Sequence, residues 1–173
     1  MESNYFEHFD LPVSFLPDLE VLRKKYLDFS KQHHPDYAAG DDQAYEQALM
    51  KTSFNNQAYK TLSEEFERVR YTLELLEQPI AQDDKLPPAF LMEMMDWNER
   101  IMEAGMEEDS NKLGEIAAEF NVLETQFENQ MHEGLKSFET TTDRRFLDDI
   151  KKSYLERKYL LRLRDSINKF ARL

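Results

Sequence analysis

The sequence predicts an all-α protein made of two helical parts. Only 4 glycines occur in 173 residues, and apolar residues recur at three- and four-residue spacing over long stretches, as amphipathic helices require. Polar residues of the capping type stand immediately before several of these stretches. Between residues 78 and 88 the prolines and polar residues break every periodicity, which indicates a boundary between the two parts.

The first two predicted helices are joined by a proline-bracketed loop. Residues 4–9 form a short helix whose aromatic side chains can pack on a neighbour, and Pro12 and Pro17 bracket the loop that follows. Asp18 is placed to cap the second helix, because its carboxylate can accept a first-turn N–H. One apolar stripe is predicted along this helix, formed by Leu19, Leu22, Tyr26, Phe29 and His33.

The second helix is predicted to end in a turn formed by His34, Pro35 and Asp36. Proline disfavours helical geometry at the residue before it and has no N–H of its own. The imidazole of His34 and the carboxylate of Asp36 are therefore presented on a turn. We expect residues 37–40 to form a flexible loop.

A third helix is predicted from a cap at Asp41 or Asp42 to about Leu62. Its inner stripe includes Asn55, which has to find hydrogen-bond partners if it is buried, because an unpaired polar group costs about 1–3 kcal/mol. Ser63 is predicted to cap a fourth helix.

Three longer helices are predicted in the second part. The fifth begins at Pro88 and ends at Gly105 as a C′ residue. Ser110 is expected to cap the sixth, which runs through Phe138. Thr142 and Asp143 open the seventh, whose predicted inner residues are Phe146, Ile150, Tyr154, Leu161 and Ile167. Short connections make successive helices antiparallel, so this part is predicted to be a three-helix bundle.

Composition and charge narrow the function. The net charge of −13 opposes general binding to nucleic acid or to anionic membranes. The start of the chain lacks the basic and apolar regions of a signal peptide, and no apolar run approaches the length of a membrane span, so we expect a cytoplasmic protein. The absence of cysteine excludes disulfides and thiolate metal sites.

The residues around the turn resemble the J-domain of DnaJ-type co-chaperones. His34, Pro35 and Asp36 follow a basic amphipathic helix, residues 4–12 resemble the first J-domain helix and its exit, and residues 56–62 resemble the end of the third helix. In that family the tripeptide couples the co-chaperone to ATP hydrolysis by a DnaK-type chaperone. The resemblance implies that this turn docks on such an ATPase and that Asp36 pairs with a chaperone arginine.

The second helix carries a cluster of four basic residues, which are Arg23, Lys24, Lys25 and Lys31. We interpret them as an electrostatic footprint for an acidic surface of the ATPase, because such a cluster stands out in so acidic a chain. The alternative is a solvated helix face on which Glu20 and Asp28 pair with them.

A narrower resemblance is to HscB, the co-chaperone family of iron–sulfur cluster assembly. Residues 90–97, read as FLMEMMDW, are similar to the start of the HscB C-terminal domain, and residues 68–73 resemble the closing helix of its J-domain. The resemblance implies an HscA-like chaperone and an IscU-type scaffold protein as partners. The positions that it assigns to the scaffold are Leu91, Met92, Met95, Asp96, Glu99 and Tyr159. Asn98 departs from the family, which often has arginine there.

The same resemblance implies a J-domain over residues 1–77, a linker over 78–87 and a scaffold-binding domain over 88–173. Two alternatives stay open. The chain could be a helical adaptor in which the tripeptide is only a turn, or a J-protein for a different client.

No catalytic motif is present. The sequence contains no glycine-rich phosphate loop, no H-E-x-x-H and no Glu-x-x-His pair. We therefore predict a protein that is not an enzyme and holds no cofactor or metal.

Overall fold

The computed structural model describes residues 4–38, 40–81 and 83–171. All regular structure within these ranges is helical, which confirms the all-α prediction. The elements are α1 (Tyr5–His8), α2 (Leu19–Gln32), a 3₁₀ turn (Pro35–Ala38), α3 (Asp42–Ser63), α4 (Glu65–Leu75), α5 (Pro88–Met106), α6 (Ser110–Thr141) and α7 (Arg145–Phe170). The chain divides into two compact units, Met1–Pro79 and Ile80–Leu173. Ala39 of the predicted flexible loop and Gln82 of the predicted linker lie outside the described residues.

In the first unit, α3 is the helix against which α1, α2 and α4 pack. The core is formed by Phe6, Phe9, Leu22, Ala58 and Leu62, which are all nearly inaccessible to solvent. Two of the predicted caps are confirmed: Asp18 accepts the N–H groups of the first turn of α2, and the Asp41 side chain accepts the N–H of Ala44. Both helices of the α2–α3 hairpin are therefore capped at their starts, and the turn of His34, Pro35 and Asp36 lies between the two helices.

Asn55 is fully buried, and its three hydrogen bonds explain how α3 tolerates it there. Its Oδ1 is 3.0 Å from His8 Nε2, and its Nδ2 donates to the Tyr26 carbonyl at 3.2 Å and to Ser30 Oγ at 2.9 Å. The predicted register of α3 is therefore correct. The network joins α1, α2 and α3 through polar contacts inside an otherwise apolar core.

Arg68 on α4 is a second buried polar group, and its guanidinium donates to three carbonyls. Its Nε donates to the Phe15 carbonyl at 2.9 Å, and its Nη1 donates to the carbonyls of Leu62 at 2.6 Å and Ser63 at 3.2 Å. Burial lowers the pKa of Arg68 although Glu65 and Glu64 act in the opposite direction. These hydrogen bonds of the guanidinium link the loop before α2 to the junction of α3 and α4.

Three expectations for this unit are wrong in detail. Leu19 is 46% exposed, so it does not belong to the buried stripe of α2. Ser63 is the last residue of α3 and its hydroxyl donates back to the Lys60 carbonyl, while Glu64 is the junction residue before α4. Tyr37 belongs to the 3₁₀ turn that Pro35 begins, rather than to a flexible loop.

The second unit is a three-helix bundle in which α5, α6 and α7 each contact the other two, as predicted. Phe90, Met94, Ile101, Phe120 and Leu160 lie at its centre. Residues before α5 are also held by this unit, since Leu86 packs against the same core and Asp84 forms an ion pair with Lys151.

Several predicted details of the bundle are corrected. Gly105 lies inside α5, which ends at Met106, rather than after it. A Cβ at this position would stand 2.5 Å from the ring of Phe170, which accounts for a glycine there. The side chain that caps α6 is Asp109, not Ser110. Leu161 is 45% exposed, and its neighbour Leu160 occupies the core.

Candidate functional site

The turn after α2 presents two polar side chains to solvent. The N–H of His33 caps the helix by donating to the Phe29 carbonyl, and Pro35 then starts the 3₁₀ turn. The side chains of His34 and Asp36 are 53% and 83% exposed. The structure thus brings the two together on a short and regular turn.

Hydrogen bonds inside the turn orient the imidazole of His34. The Asp36 N–H donates to His34 Nδ1 at 3.3 Å, and the Tyr37 N–H donates to the His34 carbonyl at 3.0 Å. Nδ1 also lies 3.5 Å from Asp36 Oδ2, so the backbone N–H and the carboxylate of Asp36 both approach the same ring nitrogen. The other ring nitrogen, Nε2, makes no hydrogen bond within the described ranges and is free to contact another molecule.

The start of the turn is tied to α3 by Thr52. Its Oγ1 donates to the His33 carbonyl at 3.2 Å, and the ring of His33 contacts the ring of Phe29, with centroids 4.3 Å apart. This hydrogen bond joins the end of α2 to the middle of α3. Sequence reasoning missed this contact between Thr52 and the turn.

The four predicted basic residues do not form one uniform group. Arg23, Lys24 and Lys31 are exposed, and none of them forms an ion pair among the residues that the structure describes. Lys25 differs, because it is half-buried and its Nζ lies 3.6 Å from Asp10 Oδ2. The alternative, in which these residues pair with Glu20 and Asp28, is not seen in the described part of α2, so three cations remain open to a partner.

An apolar strip that sequence reasoning missed lies between these cations. Leu19 and Leu27 are 46% and 43% exposed, and together with Arg23 and Lys24 they line a groove of about 500 Å³. Exposed leucines beside unpaired cations are typical of a surface that contacts another protein.

On the second unit, the predicted partner-binding residues of α5 share one exposed side. Met92 and Met95 are 68% and 66% exposed, and Asp96 and Glu99 are exposed beside them, while Leu91 is half-buried. We call these five residues the α5 face. Flexible, polarizable methionines suit an adaptable protein surface.

The exposed strip of α5 is longer than the sequence indicated. Met102 is 39% exposed and Met106 is 78% exposed. They follow Met95 by two and three helical turns, so they lie on the same side of the helix. The helical spacing of these methionines was the signal that could have revealed them.

Tyr159 on α7 lies close to the start of α5. Its ring is edge-on to Phe90 with centroids 6.0 Å apart, and Tyr159 and Leu91 line the same cleft. Met94 and Trp97 belong to the bundle instead, since Met94 is fully buried and Trp97 packs against Phe120 at 5.2 Å.

The described residues show neither a metal-binding cluster nor a helix that could span a membrane. No three His, Asp or Glu side chains there are grouped so that they could hold a metal ion. Among the same residues, no helix has the length and apolarity that crossing a bilayer requires.

Comparison with known sequences gives consistent relatives. Residues 86–168 match the family described as the HSCB C-terminal oligomerisation domain. The co-chaperone protein HscB homolog of Psychromonas ingrahamii is 36% identical over 135 residues, which cover 74% of this chain and 79% of that relative. A homolog of the same description from Acinetobacter baumannii is 40% identical over 102 residues, covering 58% and 57% of the two chains.

Solved structures share the fold of the whole chain. The chaperone HscB from Vibrio cholerae superimposes with a TM-score of 0.72 over 96% of each chain, at 23% identity. The human co-chaperone protein HscB superimposes with a TM-score of 0.78 over 97% of this chain and 82% of the human chain, also at 23% identity.

Proposed function

The chain belongs to the HscB family of co-chaperones, and on that premise we propose that it stimulates the ATPase of a DnaK-type chaperone and delivers an iron–sulfur cluster scaffold protein to it. The first activity belongs to the unit with the His34, Pro35 and Asp36 turn, as the J-domain, and the second to the bundle with the α5 face. The chain itself catalyses nothing in this proposal.

The observation that carries the proposal is the exposed turn at the end of α2, together with three cations of that helix that form no ion pair among the described residues. Asp36 is 83% exposed, so its carboxylate can form a charge-assisted pair with a chaperone arginine, and such a pair strengthens when a partner excludes water. Nε2 of His34 supplies a hydrogen-bonding atom, and Pro35 fixes the backbone between them. Arg23, Lys24 and Lys31 steer an acidic ATPase surface toward the turn.

Delivery of the scaffold rests on the α5 face. Met92 and Met95 supply exposed apolar area, and Asp96 and Glu99 supply charge beside it. With both sites on one chain, a bound scaffold is present near the chaperone at an effective concentration set by the tether rather than by diffusion.

The experiment is steady-state ATP hydrolysis by HscA-like and other DnaK-type chaperones, measured one at a time with this protein. Asp36→Asn and His34→Gln are expected to abolish stimulation while changing the free energy of unfolding by about 0.5 kcal/mol or less. Asp28→Asn removes the same charge from an exposed position of α2 and serves as the matched control. Stimulation that survives in Asp36→Asn refutes the role of the turn.

Scaffold delivery is tested separately by titrating an IscU-type scaffold. Met92→Ala with Met95→Ala is expected to weaken binding by about tenfold or more, because both side chains would be truncated at the centre of the contact. Met50→Ala, which truncates a methionine of equal exposure in the first unit, is the control. Unchanged affinity in the double variant excludes the α5 face, and an ATPase response without any scaffold binding favours a J-protein for another client.

If no chaperone responds, the helical adaptor is the remaining interpretation.

A further inference from the structure

A cleft of about 700 Å³ lies in the second unit, between the segment before α5 and one side of α7. Leu86, Leu91, Leu155 and Tyr159 give it apolar walls, and Lys85, Lys158 and Arg162 add three cationic side chains. A concave apolar surface with a few charged groups is the usual form of a binding site.

One wall of the cleft is held in place by an ion pair. Asp84 Oδ1 lies 2.9 Å from Lys151 Nζ, with both side chains about one-fifth exposed, and Asp84 Oδ2 accepts the Ala81 N–H at 2.6 Å. The hydrogen bond from Lys151 lowers the pKa of Asp84. The carboxylate of Asp84 is thus already paired with Lys151 and, among the described residues, forms no ion pair with the cations that line the cleft.

The three cations of the cleft have no acidic partner among the residues that the structure describes. Lys85, Lys158 and Arg162 are exposed, and no ion pair includes any of them within the described residues. Lys158 and Arg162 are four residues apart on α7 and therefore neighbours on its surface. In a chain of net charge −13, an uncompensated cationic cleft favours a ligand that carries carboxylates.

The cleft is continuous with the α5 face through shared residues. Leu91 lies in both, and Tyr159, which the resemblance assigns to the scaffold, lines the cleft. Asp96 and Glu99 follow Leu91 on α5 at about 8 and 12 Å along the axis. The combined surface is therefore apolar at its centre, positive at the cleft and negative farther along α5.

We propose that this cleft binds an acidic segment of the protein that covers the α5 face, with an apolar side chain against Leu91 and Tyr159 and carboxylates paired with Lys158, Arg162 and Lys85. This inference rests on the proposed delivery of a scaffold protein. It also fixes the direction in which the partner docks. The partner presents acidic residues at the cleft and basic residues to Asp96 and Glu99, so the reverse orientation would oppose like charges.

The test measures the affinity of an IscU-type scaffold for the full chain. Lys158→Gln with Arg162→Gln is expected to weaken binding by about tenfold, with a shallower dependence on salt, because two ion pairs with the partner are lost. Lys136→Gln with Lys169→Gln makes the same change of net charge at exposed positions outside the cleft and is expected to stay within about twofold of wild type. Equal affinities of the two double variants overturn the proposal.

A second probe separates this proposal from the proposed function. If the wild-type chain binds no IscU-type scaffold, scaffold delivery fails, and a short labelled peptide that alternates Glu with Leu then tests the cleft alone. Binding that is lost in Lys158→Gln with Arg162→Gln, and lost when Gln replaces Glu in the peptide, supports the cleft. Absence of peptide binding, or equal binding of the Gln peptide, overturns it.

Discussion

Replacing Asn55 by leucine tests whether the buried polar network stabilises the unit that carries the turn. The Asn55 side chain makes three hydrogen bonds, to His8, Tyr26 and Ser30. Leucine is close in size but cannot make any of them. The Tyr26 carbonyl keeps the hydroxyl of Ser30 as a donor at 2.9 Å. The groups that lose a partner are therefore the ring nitrogen Nε2 of His8 and, as an acceptor, the Ser30 hydroxyl.

The expected cost of Asn55→Leu follows from these contacts. Three lost hydrogen bonds at about 1 kcal/mol each, together with an unpaired imidazole nitrogen, are offset in part by the apolar burial of leucine. We expect the first unit to lose about 2 kcal/mol. The ring of His8 lies among Phe9, Phe29 and Phe54, with centroids 4.6 to 5.0 Å away, so His8→Phe fits this aromatic cluster. The double variant is expected to recover about 1 kcal/mol, because both polar partners are then removed.

Amide hydrogen exchange in α2 and α3 measures the opening free energy of this unit. Gln57→Leu is the matched control, because it makes a similar change at an exposed position of α3 and is expected to stay within about 0.5 kcal/mol of wild type. The fluorescence of Trp97, the single tryptophan, reports the second unit and is expected to unfold at an unchanged urea concentration. An Asn55→Leu variant as stable as wild type refutes the reasoning.

Three further predictions concern other polar groups. Arg68→Met leaves the carbonyls of Phe15 and Leu62 without their charged donor. We expect amide hydrogen exchange in α3 and α4 to show that the opening free energy falls by about 3 kcal/mol. A fall of less than about 1 kcal/mol contradicts this expectation. Burial raises the pKa of Glu156, so its protonated form stabilises the fold at low pH, and this contribution is lost as pH rises through the raised pKa. In Glu156→Gln the second unit is expected to gain about 1 kcal/mol of unfolding free energy at pH 7 and to depend less on pH, as measured by urea unfolding with Trp97 fluorescence. If the stability of this variant still depends steeply on pH, Glu156 is not the source of that dependence. Thr52→Val removes the hydroxyl that donates to the His33 carbonyl and is expected to lower ATPase stimulation about threefold, because the turn is held less firmly. Thr52→Ser keeps a hydroxyl and is expected to keep the stimulation. Equal activity of the two variants argues that this hydrogen bond does not position the turn.

The helical architecture could be predicted because its determinants are local. Asp18 and Asp41 precede apolar periodic stretches, and both cap helices as expected. The errors occur where two adjacent residues offer the same chemistry. Asp109 and Ser110 are both good caps, and Leu160 and Leu161 are equally apolar, so periodicity alone could not choose between neighbours.

Features that depend on distant residues could not be read from the sequence. Gly105 is required by the ring of Phe170, which comes from the far end of another helix. The position of the turn was evident from Pro35, but its attachment to Thr52 depends on how α2 and α3 pack. The pairing of exposed lysines and arginines depends on side-chain geometry, which spacing does not determine. For this reason the unpaired cations of α2 and of the cleft emerge only from the structure.

The exposed methionines of α5 give this surface a sensitivity to oxidants. Met92, Met95 and Met106 are each about two-thirds exposed or more, and the chain has no cysteine that would react first. Peroxide converts a thioether to a polar sulfoxide, which enzymes can reduce again. Oxidation would therefore make this apolar surface polar in a reversible way. The turn of His34, Pro35 and Asp36 contains no sulfur and would keep its chemistry.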